Sequence, residues 1–274
     1  LLGWWLIMSN PLEYDDGSDN LPSDCKFKIS PSKFSTFIDK PYQWFREQIL
    51  KEEGFTYSTS SVLGTVVHYC AEMAAKGEQV NTSHIDEYIM SFQTNDDYDP
   101  IIVDDNYKQM AERLVNDYVI HHKDQYLGVE PFMLSNLVDG YYVGGSLDAI
   151  EGEMHDCMIV DYKTYSSKSK PRSIPMHYKY QLLVYAYVLS SIGYTVTRVR
   201  LVYINRNIDG EISEKTGKRL KSYPPEVTVL TETITSEDLD FIKSTLDLCV
   251  ESVEAAEKHP ELRHVIFHDQ RLKI

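Results

Sequence analysis

The chain is poor in cysteine, lacks any long apolar run and is short of positive charge. Its four cysteines, at positions 25, 70, 157 and 249, include no close pair. Scattered thiols exclude a disulfide scaffold and predict reduced, mostly buried side chains in a reducing compartment. They also exclude zinc, which needs paired ligands, and an iron–sulfur cluster, which needs four convergent thiolates. No stretch approaches the ~20 apolar residues of a membrane-spanning helix. The phosphate loop G-x-x-x-x-G-K-[ST] is absent, so no helicase motor is expected. Lysine and arginine number 27 against 42 acidic residues, a formal charge of −15. That balance excludes a protein that coats nucleic acid nonspecifically and leaves room only for a local positive track.

Hydrophobic content of 42% and aromatic content of 12% exclude general disorder. A chain of 274 residues can bury a sizeable core. Residues 1–27 read as a loose segment, and 28–274 as one domain. Leu1 to Ile7 is apolar but too short to cross a bilayer and lacks a basic leader, with Met8 as a candidate natural start. Helices are expected near 31–39 and 41–50, with Pro41 at the junction, and at 61–76, ending at Gly77. Helical stretches near 83–93 and 104–126 fall within a helical cap over the site, spanning 78–127. A strand near 129–138, an Asp139-Gly140 turn and a hairpin follow. A helix at 176–192, strands at 198–205 and 226–233, and a long amphipathic helix at 236–258 complete the map. The fold class is α/β, of the α+β kind: a mixed sheet flanked by helices.

The chemistry concentrates in two segments rich in β-branched and aromatic residues, 144–150 and 158–164. Glu151 to Asp156, with Gly152 inside, reads as the loop between them. In a symmetric hairpin Asp148 and Asp161 fall opposite each other, roughly 5 Å apart, where like charges repel. A divalent cation between them is the simplest compensation. Lys163, two residues after Asp161, projects from the same face, and Tyr162 points the other way. Such a set suits phosphodiester hydrolysis: a metal activates water, and a lysine orients it or neutralises developing charge. An ordinary hairpin with solvent-facing acids is the bland alternative.

Gln181 and Tyr185 lie four apart on a mostly apolar helical pattern, and so share a face. A buried glutamine needs partners, which a catalytic water or phosphate would supply. Gly64, His68 and Glu72 share a face of the earlier helix, which carries a serine cap. A glycine inside a helix costs about 1 kcal/mol relative to alanine, so its use predicts a close approach by a strand or substrate. Lys168, Lys170, Arg172 and Lys179 form the candidate positive track for DNA, against the alternative of a solvated loop. Most of the 20 tyrosines are expected to pack, with base stacking as their other possible use.

In order, Gly64-Thr65-x-x-His68, Gly145-x-x-Asp148, Asp161-x-Lys163 and Gln181-x-x-x-Tyr185 resemble the RecB-type branch of the PD-(D/E)xK nuclease superfamily. Residues 29–37 and 41–45 resemble that branch's opening helix pair, and Glu130 has a counterpart before the first acid. The likeness covers roughly residues 28–206. It implies a restriction-endonuclease-like core with a helical N-terminal elaboration. It also implies that His68, Asp148, Asp161 and the Tyr162 carbonyl bind Mg²⁺ or Mn²⁺. Lys163 would handle the attacking water, with Gln181 and Tyr185 supporting the lysine and the DNA phosphate. Many members of this branch carry an iron–sulfur cluster, whose cysteines this chain lacks, with Lys40 before Pro41 where one would often sit.

The resulting expectation is a metal-dependent DNA exonuclease acting on linear ends in end processing, recombination or repair. Compactness suggests a phage origin, in the cytoplasm of a bacterial cell or infected host. The acidic balance suggests a recombination or replication partner for processivity. A structure-specific or nicking endonuclease is the enzymatic alternative. A catalytically silent DNA-binding or protein-interaction module is the alternative of another class.

Overall fold

The computed structural model describes residues 21–52, 57–93, 103, 106–165, 171–205, 212–213, 215–218 and 224–268. Proline sets the first φ of both opening helices, α1 (Pro31–Asp39) and α2 (Pro41–Phe45). The turn Arg46–Leu50 extends α2 as a π-helix and ends at Lys51, whose φ is 54°. Helix α3 (Thr59–Lys76) starts two residues earlier than its pattern suggests, because Ser58 is the cap. The Ser58 and Ser61 side chains satisfy each other's backbone N–H groups in a capping box, and Gly77 closes the helix with a φ of 76°.

Two helices, α4 (Thr82–Gln93) and α5 (Asn106–Leu114), lie within the 78–127 region. A π-turn at Val115–Val119 and a short α6 (Ile120–His122) continue from α5. Helix α7 (Met176–Ser191) follows the hairpin formed by Ala149–Glu153 and Asp156–Tyr165. Helix α8 (Ser236–Lys258) opens on a Thr235–Asp238 capping box, and a short α9 (Arg263–Ile266) follows it. Among the described residues no helix is long and apolar enough to cross a membrane.

The strands form two sheets. One has three strands, in the order β1 (Phe27–Ile29), β4 (Tyr141–Ser146), β3 (Phe132–Val138). The other has five, in the order β2 (Tyr126–Val129), β5 (Ala149–Glu153), β6 (Asp156–Tyr165), β7 (Val196–Asn205), β8 (Val227–Thr233). Pairs β6–β7 and β1–β4 are parallel, and the others antiparallel.

Two expectations need correction. Neither 129–138 nor 144–150 is one continuous strand. Both break at the same level, between β2 and β3 at Glu130-Pro131 and between β4 and β5 at Leu147-Asp148. Proline and the positive φ of Glu130 (50°) force the bend on one side. The bonds Glu130 N–H to Asp148 carbonyl (3.0 Å) and Leu147 N–H to Pro131 carbonyl (3.2 Å) hold the ribbon together through it. The ribbon thus leaves one sheet and enters the other. Further, Glu151 to Asp156 is not a loop: β5 and β6 continue to Glu153 and from Asp156, leaving only Met154 and His155 between them. Gly152, with a φ of 100°, pairs with Cys157 inside this hairpin.

Alternation along the central strands builds two cores, one on each face. Ile150, Ile159, Leu201 and Tyr203 face α7, α8, α1, α2 and the small sheet. Ala149, Val160, Tyr162, Val202 and Ile204 face α3, α4 and α5. Helices on both faces bury most of β6 and β7, whereas the edge strand β8 stays partly exposed. Gly144 permits the close ribbon packing beside the bend at Leu147-Asp148, since a Cβ there would stand 2.0 Å from the Met133 carbonyl oxygen. Gly144→Ala is expected to destabilise the protein by about 1–3 kcal/mol or more. An unchanged chemical-denaturation midpoint would show that the ribbon has slack there.

Candidate active site

The hairpin register sets the two acids opposite one another. Ala149 pairs with Val160, so the next position outward faces Asp148 toward Asp161. Asp148 lies just before β5, at the bend, and Asp161 lies within β6. Tyr185, reaching from α7, donates its hydroxyl to the Ser146 carbonyl and pins the chain two residues before Asp148. Gly145 leaves the space for that hydroxyl, which would be 3.4 Å from a Cβ there.

Helix α3 approaches the hairpin from the other face. Gly64 faces β6, where a Cβ would stand 3.5 Å from the Thr164 hydroxyl, an ordinary contact that an alanine could also make. A strand does lie opposite this glycine, but no closer than a side chain would allow. One turn on, His68 Nδ1 lies 3.3 Å from Asp148 Oδ1. The other Asp148 oxygen accepts the Tyr162 N–H. Burial opposes ionisation of Asp148, but His68, Lys163 and the Tyr162 amide outweigh it and hold the carboxyl below its ordinary range.

Asp161 is only 2% exposed. Its Oδ1 accepts hydrogen bonds from Lys163 Nζ at 2.9 Å and Gln181 Nε2 at 3.2 Å. Its Oδ2 is 2.7 Å from Lys163 Nζ, a distance of charge attraction, yet it makes no well-directed hydrogen bond. Burial pushes the Asp161 carboxyl up to about 6; Lys163 opposes this and Asp148 reinforces it. Burial works against the Lys163 cation, but Asp161 and Asp148 more than compensate, raising its pKa. Two inequivalent carboxylates and a charged lysine therefore face one space. Glu130 adjoins it, its carboxyl held well above the ordinary range by burial and by Asp148 and Glu72. Glu72, itself buried, pairs with Lys76 one turn further along α3.

The structure thus brings Asp148, Asp161, Lys163, Gln181, Tyr185, His68 and Tyr162 together. Gln181 contacts Asp161, and Tyr185 contacts backbone. Lys179 points elsewhere, 3.1 Å from Glu232 and 3.9 Å from Asp238. Arg172 is exposed. Lys168 and Lys170 lie outside the described residues. Tyr178 was not singled out by pattern, although it sits one turn before Gln181 in α7. Its ring centroid is 5.6 Å from Lys163 Nζ.

The donors suit a hard divalent cation. They are carboxylate oxygens with an imidazole nitrogen, and one buried oxygen, Asp161 Oδ2, lacks a hydrogen bond. Among the described residues no three His, Cys, Asp or Glu side chains form a ready-made metal cluster. His68 and Asp148 instead contact each other, so the protein supplies a partial set. The cysteines stand apart from it and from one another. All four are free, and burial pushes the Cys70 and Cys157 thiols up to about 11.

Comparison with solved structures finds related folds. A protein from Eubacterium rectale named "Putative exonuclease" superposes with a TM-score of 0.52 at 14% identity, covering 88% of this chain and 86% of that one. An alkaline exonuclease from Laribacter hongkongensis gives 0.32 at 10% identity, covering 71% of this chain and 92% of that one. A phage-related exonuclease from Haemophilus somnus gives 0.31 at 11% identity, covering 73% and 94%. Comparison with curated protein sequences finds no match. The family model for the PD-(D/E)XK nuclease superfamily matches residues 28–260, from β1 through α8 and the whole acid–lysine hairpin. With the family's sequence signature running through the strands that carry Asp148, Asp161 and Lys163, the chain belongs to the PD-(D/E)XK nuclease superfamily.

Proposed function

We propose that this protein is a divalent-metal-dependent DNA exonuclease that hydrolyses phosphodiester bonds at linear ends. The observation that carries the reading is the opposed Asp148–Asp161 pair with Lys163 against the second acid and one Asp161 oxygen buried without a hydrogen bond. Asp148, Asp161 and His68, with the Tyr162 carbonyl, would hold Mg²⁺ or Mn²⁺. When bound, such an ion supplies Lewis acidity and lowers the pKa of a coordinated water. Lys163 orients the attacking water or neutralises charge on the phosphate. Gln181 fixes the Asp161 carboxylate, and Tyr185 fixes the bend that carries Asp148. The choice of end-directed cleavage extends to this chain what the Eubacterium rectale protein is named for.

Digestion of end-labelled linear and closed circular DNA, single- and double-stranded, with Mg²⁺, Mn²⁺ or EDTA, tests this. Metal-dependent loss of linear DNA alone, absent in Asp161→Ala, is the expected result. Cutting of circles would replace it with an endonuclease. Cleavage that survives in EDTA would remove the metal.

A pH dependence follows from Asp161, whose carboxyl is pushed up to about 6. The folded acid holds its proton more tightly than the unfolded one. Its contribution to metal-free stability is therefore present below the ordinary carboxylate pKa and lost as pH rises through about 6. Metal binding needs the ionised form, so Mn²⁺ affinity is expected to fall by up to about tenfold per unit as pH drops below that value. Calorimetric titration between pH 8 and 5 measures this. A flat affinity would show that the Asp161 carboxyl does not titrate in this range.

A further inference from the structure

Beside the lysine runs a row of aromatic rings that the hydrolytic chemistry does not use. His177 and Tyr178 occupy the first turn of α7, and the Tyr178 N–H bonds to the Pro175 carbonyl. Their ring centroids are 3.9 Å apart. Tyr178 meets Tyr203 edge-on at 6.0 Å, and Tyr203 meets Tyr165 edge-on at 5.0 Å. The row is anchored inside, where Tyr203 is 4% exposed, and ends outside, where His177 is exposed. Tyr178 stands between, half-buried, its ring centroid 5.6 Å from Lys163 Nζ.

We propose that His177 and Tyr178 form a stacking ledge for an unpaired nucleobase next to the scissile phosphate. The inference rests on the nuclease reading above and deepens it by naming a single-stranded end as the ligand. Three considerations carry it. First, the exposed His177 ring contributes little to the core, yet it rests on Tyr178, which buried Tyr203 in turn backs edge-on. Second, electrostatic capture is weak here: the chain carries a net charge of −15, and Lys163 and Lys179 are each paired with a carboxylate. Stacking on aromatic faces is the other general source of affinity for single strands, and it is indifferent to sequence. Third, burial and Lys163 lower the His177 pKa against the opposing effect of Asp39, which favours a neutral, stackable ring. Bases within a duplex have both faces covered, so the ledge favours an unpaired or frayed end.

The test compares cleavage of a single-stranded oligonucleotide with that of the same strand carrying abasic residues beside the scissile phosphate. The parent protein is expected to lose roughly tenfold in kcat/KM on the abasic strand. His177→Ala is expected to lose about as much on the normal strand and little more on the abasic one, and His177→Phe to restore the difference. A His177→Ala deficit of equal size on both strands would overturn the ledge, as would a parent indifferent to abasic residues. Quenching of 2-aminopurine in the same strands on binding to the Asp161→Ala protein reports stacking without cleavage. Quenching in strands that the parent does not cleave would sink the nuclease reading and keep the ledge. Cleavage without quenching would do the reverse.

Discussion

Lys163→Ala is expected to lower turnover by about 10²–10³-fold while Mn²⁺ still binds at pH 8. The lysine and Asp161 share one face of β6, with the ammonium 2.7–2.9 Å from the carboxylate oxygens. Removing the ammonium takes away the only side-chain cation placed beside Asp161 by the described contacts, but leaves both acids and His68 in place. Ground-state metal binding should therefore persist, and the loss should appear in kcat. Single-turnover kinetics with calorimetric Mn²⁺ titration separates the two quantities. Near-parent turnover would make Lys163 a structural counter-ion. Loss of metal binding together with turnover would make it part of the scaffold of the acid pair.

The largest effect on stability is expected from Arg200→Met. Arg200 in β7 reaches across β6 to Glu151 in β5, Nη1 to Oε2 at 3.1 Å, under the layer formed by α3 and α5. Tyr118 donates its hydroxyl to Glu151 Oε1 at 2.6 Å and accepts from Arg200 Nη1 at 2.9 Å. Arg200 Nε is 3.0 Å from the Thr231 hydroxyl in β8. Glu151 is 1% exposed, so removal of the guanidinium leaves a carboxylate with neither water nor a counter-charge. Breaking a buried pair in this way costs about 3–5 kcal/mol, whereas replacing both partners by apolar residues is often neutral. The variant pair Arg200→Met and Glu151→Leu/Arg200→Met, compared by denaturant unfolding, tests the account. A single variant as stable as the parent would show that the pair is not dry.

Glu151 also shows where sequence reading stops. Its local neighbourhood, with Gly152 and two nearby acids, has the composition of a turn. Its partner lies 49 residues away on a strand two positions across the sheet, and no local pattern reports that distance. The short strands β1 and β2 were missed for a related reason: three or four residues carry too little periodicity, and their pairing with β4 and β5 defines them. By contrast, α8 spans Ser236–Lys258 as its periodicity and capping residues indicate. The site was legible because its parts are local spacings. Asp161 and Lys163 are two apart on a strand, and Gln181 and Tyr185 are four apart on a helix. What those helical residues touch was not legible. Gln181 meets the acid rather than the lysine, and Tyr185 meets a carbonyl, because both contacts depend on how closely α7 packs on the bent ribbon.

The bend gives the two acids unequal tolerances to change. Asp161 and Lys163 sit on one continuous strand, so displacement of that strand carries both and preserves their spacing. Asp148 rides on the joint between two sheets, held to β6 by the Tyr162 N–H and to the bent ribbon by the Glu130 N–H, so it answers to both. Lengthening the Asp139-Gly140 turn disturbs the bonds that the Gly140 carbonyl accepts from Lys26 and Phe27, at the far end of the arm from the acids. Adding one residue between Gly145 and Asp148 displaces the Tyr185–Ser146 anchor and the Leu147–Pro131 bond relative to the hairpin that carries the acid. The segment from 145 to 148 therefore tolerates neither a change of length nor a larger residue at Gly145.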